Sequence, residues 1–206
     1  MSGMDSAQPP IAGLLLAAGA GSRHGSPKAL RLAADGAPWL LRAVDALRAG
    51  GCSPVIVVLG ARGHEAERLL EHQGEGEVVV VHAADWADGV SASLRAGLTT
   101  AAALERAMPV AVAVVPVDVP DLDGAIVARL IGAWPNDEEA ASVTPGTLRQ
   151  ASFAGRPGHP VVIGRAHWAP LCERLAGDTG ARPYLVENGA RLIDCADLGT
   201  GVDVDD

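Results

Sequence analysis

The chain has a single lysine, Lys28; its other fifteen strongly basic side chains are all arginine. Aromatic residues amount to 3%, so a buried core has to be aliphatic and rich in alanine. The three cysteines, Cys52, Cys172 and Cys195, are odd in number, far apart and without a C-x-x-C. That pattern excludes a disulfide framework and a cysteine zinc site, and leaves buried thiols in a reducing compartment. Basic charge is in deficit too: the formal net charge is −9, which argues against a nucleic-acid surface. A small anionic ligand stays possible, because a local group of donors overrides a negative average. No apolar run reaches the ~18 residues of a membrane helix. The polar start MSGMDSAQPP lacks a basic region followed by an apolar one, so no signal peptide is read and a cytoplasmic protein is expected.

What is present is 206 residues, 49% of them hydrophobic, arranged in alternating blocks of alanine, valine and leucine. The expected organisation is a disordered leader over residues 1–10 and a single domain over 11–206. IAGLLLAA (11–18), PVIVVLG (54–60), EVVVVHA (77–83) and PVAVAVVPVDVPDL (109–122) read as buried strands, the last breaking at its prolines. PWLLRAVDALRAGG (38–51) reads as a helix with Leu40, Leu41, Val44 and Leu47 on one side. HEAERLLEHQG (64–74) and SASLRAGLTTAAALERA (91–107) read as two more, with Ser91 a candidate cap. Strands separated by helices predict an α/β fold with a mainly parallel sheet. From about residue 140 the pattern changes. ASVTP, TLRQASFAG and HPVVIGR read as short strands around turns, whereas HWAPLCERLAG and the segment after Asp178 read as helices.

Ligands of parallel sheets sit outside the carboxyl ends of the strands. Two features fall there: the glycine-rich LLLAAGAGSRHGSPKAL (14–30) and Asp118 of VVPVDVPDL. Small residues between a buried strand and a helix let backbone N–H groups approach a phosphate. The Walker pattern fails, because Gly25, Ser26 and Pro27 precede Lys28. The dinucleotide pattern fits Gly19 and Gly21 but meets His24 at its third glycine. Leu59, Gly60 and Ala61 stand where it wants an acid. A lone carboxylate such as Asp118 suits Mg²⁺, which takes one or two carboxylates plus substrate phosphates. Asp121 and Asp123 suit the cap of the following helix better. His24, His64, His72, His82 and His167 show no metal-ligand spacing and read as surface or core residues.

A third loop pattern, L-A-A-G-x-G-x-R-x-G-x-P-K, is matched throughout by Leu16, Ala17, Ala18, Gly19, Gly21, Arg23, Gly25, Pro27 and Lys28. This resembles the signature of MobA-like NTP transferases, which activate a phosphorylated acceptor with a nucleoside triphosphate. ADGVSASLRAGL (87–98), GRPGHPVVIGRAHW (155–168) and GDTGAR (177–182) resemble segments of the molybdenum-cofactor cytidylyltransferases among them, in the expected order. The resemblance implies a three-layer Rossmann-like nucleotidyltransferase fold. It implies CMP transfer from CTP to the terminal phosphate of molybdopterin, with release of pyrophosphate. Lys28 and Arg23 would steady the phosphates, a compact ammonium being something a guanidinium does not reproduce. Leu16, Ala17, Ala18, Gly19 and Gly21 would cradle the nucleotide, and Ser93 would read the base. Asp118, with Asp203 of the terminal GVDVDD, would hold Mg²⁺, and Asp205 is a weaker third candidate. His159, Asp178 and Arg182 would line the acceptor pocket. A recipient molybdoenzyme would be a further partner, and neither nucleic acid nor a membrane is expected. Ala17-Ala18-Gly19 stands where guanylyltransferases tend to have Ala-Gly-Gly, which favours a pyrimidine.

Each assignment has a plainer competitor. Lys28 and Arg23 can be surface charges, Ser93 a packing residue, His159 a turn residue and Asp178 a helix cap. At the level of function the rivals are a GTP-dependent guanylyltransferase or a sugar- or alcohol-phosphate nucleotidylyltransferase. A non-catalytic nucleotide-binding chaperone and a dinucleotide-binding oxidoreductase are further alternatives.

Overall fold

Side chains alternate along the first strand between two separate cores, and that alternation sets the architecture. In β1 (Ile11–Ala17), Ile11, Leu15 and Ala17 enter one apolar cluster, while Ala12 and Leu14 enter another. A strand apolar on both faces needs cover on both. The structure, a computed structural model, describes residues 9–21, 26–71, 73, 78–132 and 142–201. In it α1 (Trp39–Ala49), α2 (Gly63–Arg68) and α4 (Gly124–Leu130) cover one face, through Leu40, Leu47, Ala66, Ile126 and Leu130. On the other face lie α3 (Val90–Ala103), α5 (Trp168–Arg174) and α6 (Arg182–Glu187), through Leu94, Leu98, Trp168, Leu171 and Tyr184. The result is a three-layer α/β sandwich with a mixed, mostly parallel sheet.

The sheet has seven strands in the order β3-β2-β1-β4-β6-β5-β7. They are β1, β2 (Val55–Leu59), β3 (Val78–His82), β4 (Ala111–Pro116), β5 (Leu148–Phe153), β6 (Arg156–Gly164) and β7 (Arg191–Asp194). β1 pairs in parallel with both β2 and β4, and β2 with β3. Among the described residues β6 alone runs against its neighbours β4 and β5, and β7 joins β5 in parallel. Helix approach is close at Gly97, where a Cβ would collide with Leu14 of β1, so α3 can sit directly on the central strand.

Several boundaries differ from the sequence reading. The helix expected over 64–74 is regular only to Arg68, after which Leu69 and Leu70 bond to carbonyls three residues back (3.1 and 2.8 Å), a tightened last turn. The helix expected to Ala107 ends at Ala103, because Leu104 is extended and the chain must turn back into β4. Gly89, with φ 109°, caps α3 in place of Ser91, which lies inside the helix. ASVTP forms no strand in its described part, because Pro145-Gly146 makes a turn closed by the Thr147 N–H on the Thr144 carbonyl (3.0 Å). β7 was not anticipated: its residues RLID are largely exposed on an edge and show no continuous apolar run. The expected leader falls outside the described residues, apart from Pro9 and Pro10. Among the described residues no helix is long and apolar enough to cross a membrane.

Candidate active site

All four parallel strands of the first half deliver their carboxyl ends to one edge of the sheet. From β1 the chain moves to one side for β2 and β3 and returns on the other for β4. The gap between β1 and β4 is therefore the switch point, where connections diverge and leave a crevice. The glycine loop leaves β1 at this place, and Asp118 follows β4 at the same place. The Val117 N–H donates to the Leu16 carbonyl at 3.0 Å, extending the β1–β4 ladder by one step and bringing Asp118 opposite the loop.

Gly21 adopts φ +60°, and a Cβ there would collide with the Ser26 carbonyl oxygen, so the loop can fold back only with glycine at this position. Beside Gly19 the space is open within 4 Å. Pro27 then starts a single 3-10 turn, Lys28–Leu30, whose N–H of Leu30 bonds to the Pro27 carbonyl at 3.0 Å. That turn aims Lys28 across the crevice. Its Nζ lies 2.5 Å from Asp118 Oδ2, and both side chains are largely buried (22% and 16% exposed). Two residues ninety positions apart are thus joined by a charge-assisted bond at the switch point. The plainer reading of Lys28 as a solvated surface charge does not fit this geometry.

A pocket of about 500 Å³ surrounds the pair. Leu16, Ala18, Gly19 and Gly21 form one wall and Ser93, Trp86 and Gly89 another. Ser93 is 5% exposed on α3. Ala17 is buried and faces away from the pocket. Trp86 was not anticipated, although it is one of four tryptophans and directly precedes the 87–98 motif.

Asp178 lines this same pocket rather than the neighbouring one. It does not cap α6, which starts at Arg182 with Ala181 as its cap. The loop that carries it is clamped to α3, since the Ser91 N–H bonds to the Gly177 carbonyl (3.1 Å) and Ser91 Oγ donates to the Thr179 carbonyl (2.9 Å). Gly89 faces Asp178 so closely that a Cβ would lie 2.5 Å from its Oδ1. Asp123, not Asp121, caps α4, accepting from the Ala125 N–H at 2.7 Å.

A second pocket of about 350 Å³ shares Leu16, Val90 and Pro116 with the first. His159 and Arg182 line it, with Gly158 and Gln150 beside them. Gln150 Nε2 donates to the Gly158 carbonyl at 3.2 Å, tying β5 to the start of β6 just before His159. The structure therefore brings Lys28, Asp118, Ser93, Asp178 and the loop glycines together, and puts His159 and Arg182 next door. Arg23 and Asp203, and with the latter Asp205, lie outside the described residues. A larger depression of about 920 Å³ lies at the opposite edge of the sheet, lined by residues such as Pro10, Pro54 and Leu104, and gathers no comparable set of side chains.

The donor set fits a hard divalent cation. Asp118 and Asp178 line one pocket, and their carboxylates, with phosphate oxygens of a nucleotide bound there, would supply the oxygen shell such ions prefer. The cysteines take no part in this site. Burial pushes the Cys52 thiol up to about 12 and the Cys195 thiol up to about 11, and it raises Cys172 as well.

His64 and His82 are exposed, as the surface reading of the histidines expects. His64 and Glu67 on α2 and His82 at the end of β3 converge, their candidate ligand atoms all within 4.8 Å of one another. Sequence spacing hides this set because His82 arrives through the β2–β3 pairing. Hydrogen bonding from His82 holds the Glu67 carboxyl below its usual range, with His64 adding to the effect. His167 is instead engaged by the Tyr184 hydroxyl (2.9 Å) and the Gly146 carbonyl (3.2 Å).

Comparison with known proteins bears on the family and the fold. The MobA-like NTP transferase domain matches residues 13–192. Nicotine blue oxidoreductase of Paenarthrobacter nicotinovorans is 36% identical, covering 98% of this chain and 95% of that protein. A probable molybdenum cofactor guanylyltransferase of Rhodopirellula baltica is 32% identical over 62% of this chain and 57% of its own length. Among solved structures, Rv0371c of Mycobacterium tuberculosis in complex with manganese superposes with a TM-score of 0.67 at 26% identity, covering 96% of this chain and 94% of that one.

Proposed function

The chain belongs to the MobA-like NTP transferase family, and on that footing we propose that it transfers CMP from CTP to the terminal phosphate of molybdopterin cofactor. One observation carries the proposal. The chain's single lysine bridges from the glycine loop to the carboxylate after β4 at 2.5 Å, inside a pocket of nucleotide size.

In this reading the triphosphate lies along the loop from Ala18 to Gly21, with Lys28 against its phosphates. Ser93 meets the base. The acceptor occupies the adjoining pocket, where Arg182 and His159 meet its polar groups. A terminal phosphate oxygen of the acceptor forms a bond to the α-phosphorus of CTP as the α–β bridging bond breaks, and pyrophosphate leaves with the electron pair. A phosphate monoester is already largely anionic at pH 7, so no general base is required. Catalysis then rests on alignment and on neutralising charge as it moves to the leaving group. Asp118 would hold Mg²⁺, with Asp178 as a candidate partner in the same pocket and Asp203 the partner expected from the sequence. Bound there, the ion would supply Lewis-acid neutralisation of phosphate charge.

A second reading is favoured by the 36% identity to an oxidoreductase over nearly the whole chain. The second pocket is walled largely by aliphatic side chains, among them Leu94, Val114, Val161 and Ile163, which suits a flat aromatic acceptor beside a nucleotide-borne reductant. The experiment that separates the two is a pair of assays on the purified chain. Pyrophosphate release is measured with each of the four NTPs and Mg²⁺, with and without molybdopterin. Oxidation of reduced nicotinamide dinucleotides is measured with an aromatic electron acceptor. Pyrophosphate that depends on both CTP and molybdopterin establishes the transferase. Nicotinamide oxidation without pyrophosphate replaces it with the redox reading. A preference for GTP keeps the reaction and overturns the base assignment.

A further inference from the structure

We propose that His64, Glu67 and His82 form a second metal site, separate from the carboxylate pocket, that takes a borderline divalent cation of the zinc class. Three regularities of the fold build it. His64 and Glu67 stand three residues apart on α2, which places both on one face of the helix. His82 is the last residue of β3, paired with Leu59, the last residue of the strand that leads to α2. Gly63 leaves room for the imidazole, since a Cβ there would lie 2.8 Å from His82 Nδ1.

The distances suit a single ion. His82 Nε2 is 3.0 Å from Glu67 Oε2 and His64 Nδ1 is 3.5 Å from the same oxygen. The two imidazole centroids are 4.7 Å apart. A tetrahedral ion with bonds of about 2.0–2.1 Å holds its ligand atoms roughly 3.3 Å from one another; the two separations to Glu67 fall on either side of that value, and all three ligand atoms lie within 4.8 Å of one another. Two imidazoles and one carboxylate select zinc-like ions over magnesium, which prefers an all-oxygen shell. His64 is 90% exposed, leaving the remaining coordination positions open to water. Among the described residues no other group of three such side chains converges in this way.

The location gives the site a structural consequence. The ion would tie α2 to the end of β3, four residues ahead of Trp86, which walls the nucleotide pocket. Gly60, between β2 and α2, also packs against Trp86.

The test is a titration of the full chain, stripped with a chelator, using Co²⁺ as a spectroscopic probe. The expected result is one equivalent of visible d–d absorption, displaced by Zn²⁺ and unaffected by millimolar Mg²⁺. His64→Ala, His82→Ala and Glu67→Gln should each weaken Co²⁺ binding at least ~10-fold, since removal of a ligand costs no less than removal of the groups that merely orient one. His64 is exposed enough that its replacement leaves the fold intact. Absence of the band in the wild-type chain, displacement by Mg²⁺, or unchanged affinity in His64→Ala would each overturn the proposal.

Discussion

The two halves of the sheet are built on different rules. Residues 11–116 place four strands side by side in parallel with their carboxyl ends at one edge; β1, β2 and β4 are buried on both faces, and β3 is half-buried at the margin. Residues 148–194 add a hairpin and an edge strand, with β6 reversed and β7 largely exposed. The first half gathers the glycine loop, Lys28, Asp118 and Ser93. The second contributes His159 and Arg182 to the adjoining pocket and sends Asp178 back across the divide. On the proposed reading the first half holds the nucleotide and the second the acceptor, and substitutions should sort accordingly.

The largest expected difference is in stability. Leu14 is fully buried on β1 between α3 and its neighbouring strands, so Leu14→Ala should cost about 2–5 kcal/mol. Leu192 on β7 is 48% exposed, and Leu192→Ala should shift stability by no more than about 0.5 kcal/mol. Urea midpoints of the two variants measure both, and equal losses would erase the distinction between the halves.

Next comes the chemistry itself. Lys28→Ala should lower pyrophosphate release at least ~100-fold, the scale of losing one stabiliser of developing charge. Lys28→Arg should fail to restore it, because a planar guanidinium replaces a point charge at a 2.5 Å contact. Near wild-type turnover of Lys28→Ala at saturating CTP and Mg²⁺ would remove Lys28 from the reaction, and near wild-type turnover of Lys28→Arg would show that any cation there suffices.

The same division explains what sequence alone could reveal. β1 to β4 were legible because strands buried on both faces are continuous apolar runs, and α1 because Leu40, Val44 and Leu47 recur at helical spacing. The loop was legible because its glycines and Lys28 stand at fixed offsets, and Asp118 because it follows a strand at a proline. The second half was harder to read. β7 has no apolar run, and ASVTP carries valine and threonine into what Pro145-Gly146 makes a turn. The place of Asp178 was hidden as well, since its pocket depends on Ser91 clamping a loop eighty-eight residues away. The convergence of His64, Glu67 and His82 is hidden for the same reason: strand pairing brings them together, not spacing.

A smaller effect should separate the two pockets. Arg182 begins α6, is exposed and lines the pocket proposed for the acceptor. Losing one hydrogen bond to a charged group costs about 1.5–3 kcal/mol. Because Arg182 is exposed, Arg182→Ala should fall at the low end and raise the acceptor KM roughly tenfold. The KM for CTP should stay as it is, and steady-state kinetics with each substrate varied in turn reads both. A parallel rise in the KM for CTP would show that the two pockets act as one.

A last effect appears only in alkali, and it too differs between the halves. Cys52 follows α1 in the first half, and burial raises its thiol from 9.0 to about 12; Cys195 follows β7, and burial raises it from 9.0 to about 11. Between those values the folded chain keeps protons that the unfolded chain releases, so unfolding is favoured as pH rises. The stability each thiol contributes is intact below pH 9 and is lost as pH climbs through its folded value. Urea midpoints should therefore be level up to about pH 9 and then fall. Cys52→Ala should flatten the part of the decline that persists beyond the range of Cys195, whereas Cys195→Ala should leave that part in place. A midpoint that stays level from pH 8 to 11 would mean that neither thiol is as dry as the packing around α1 and β7 makes it.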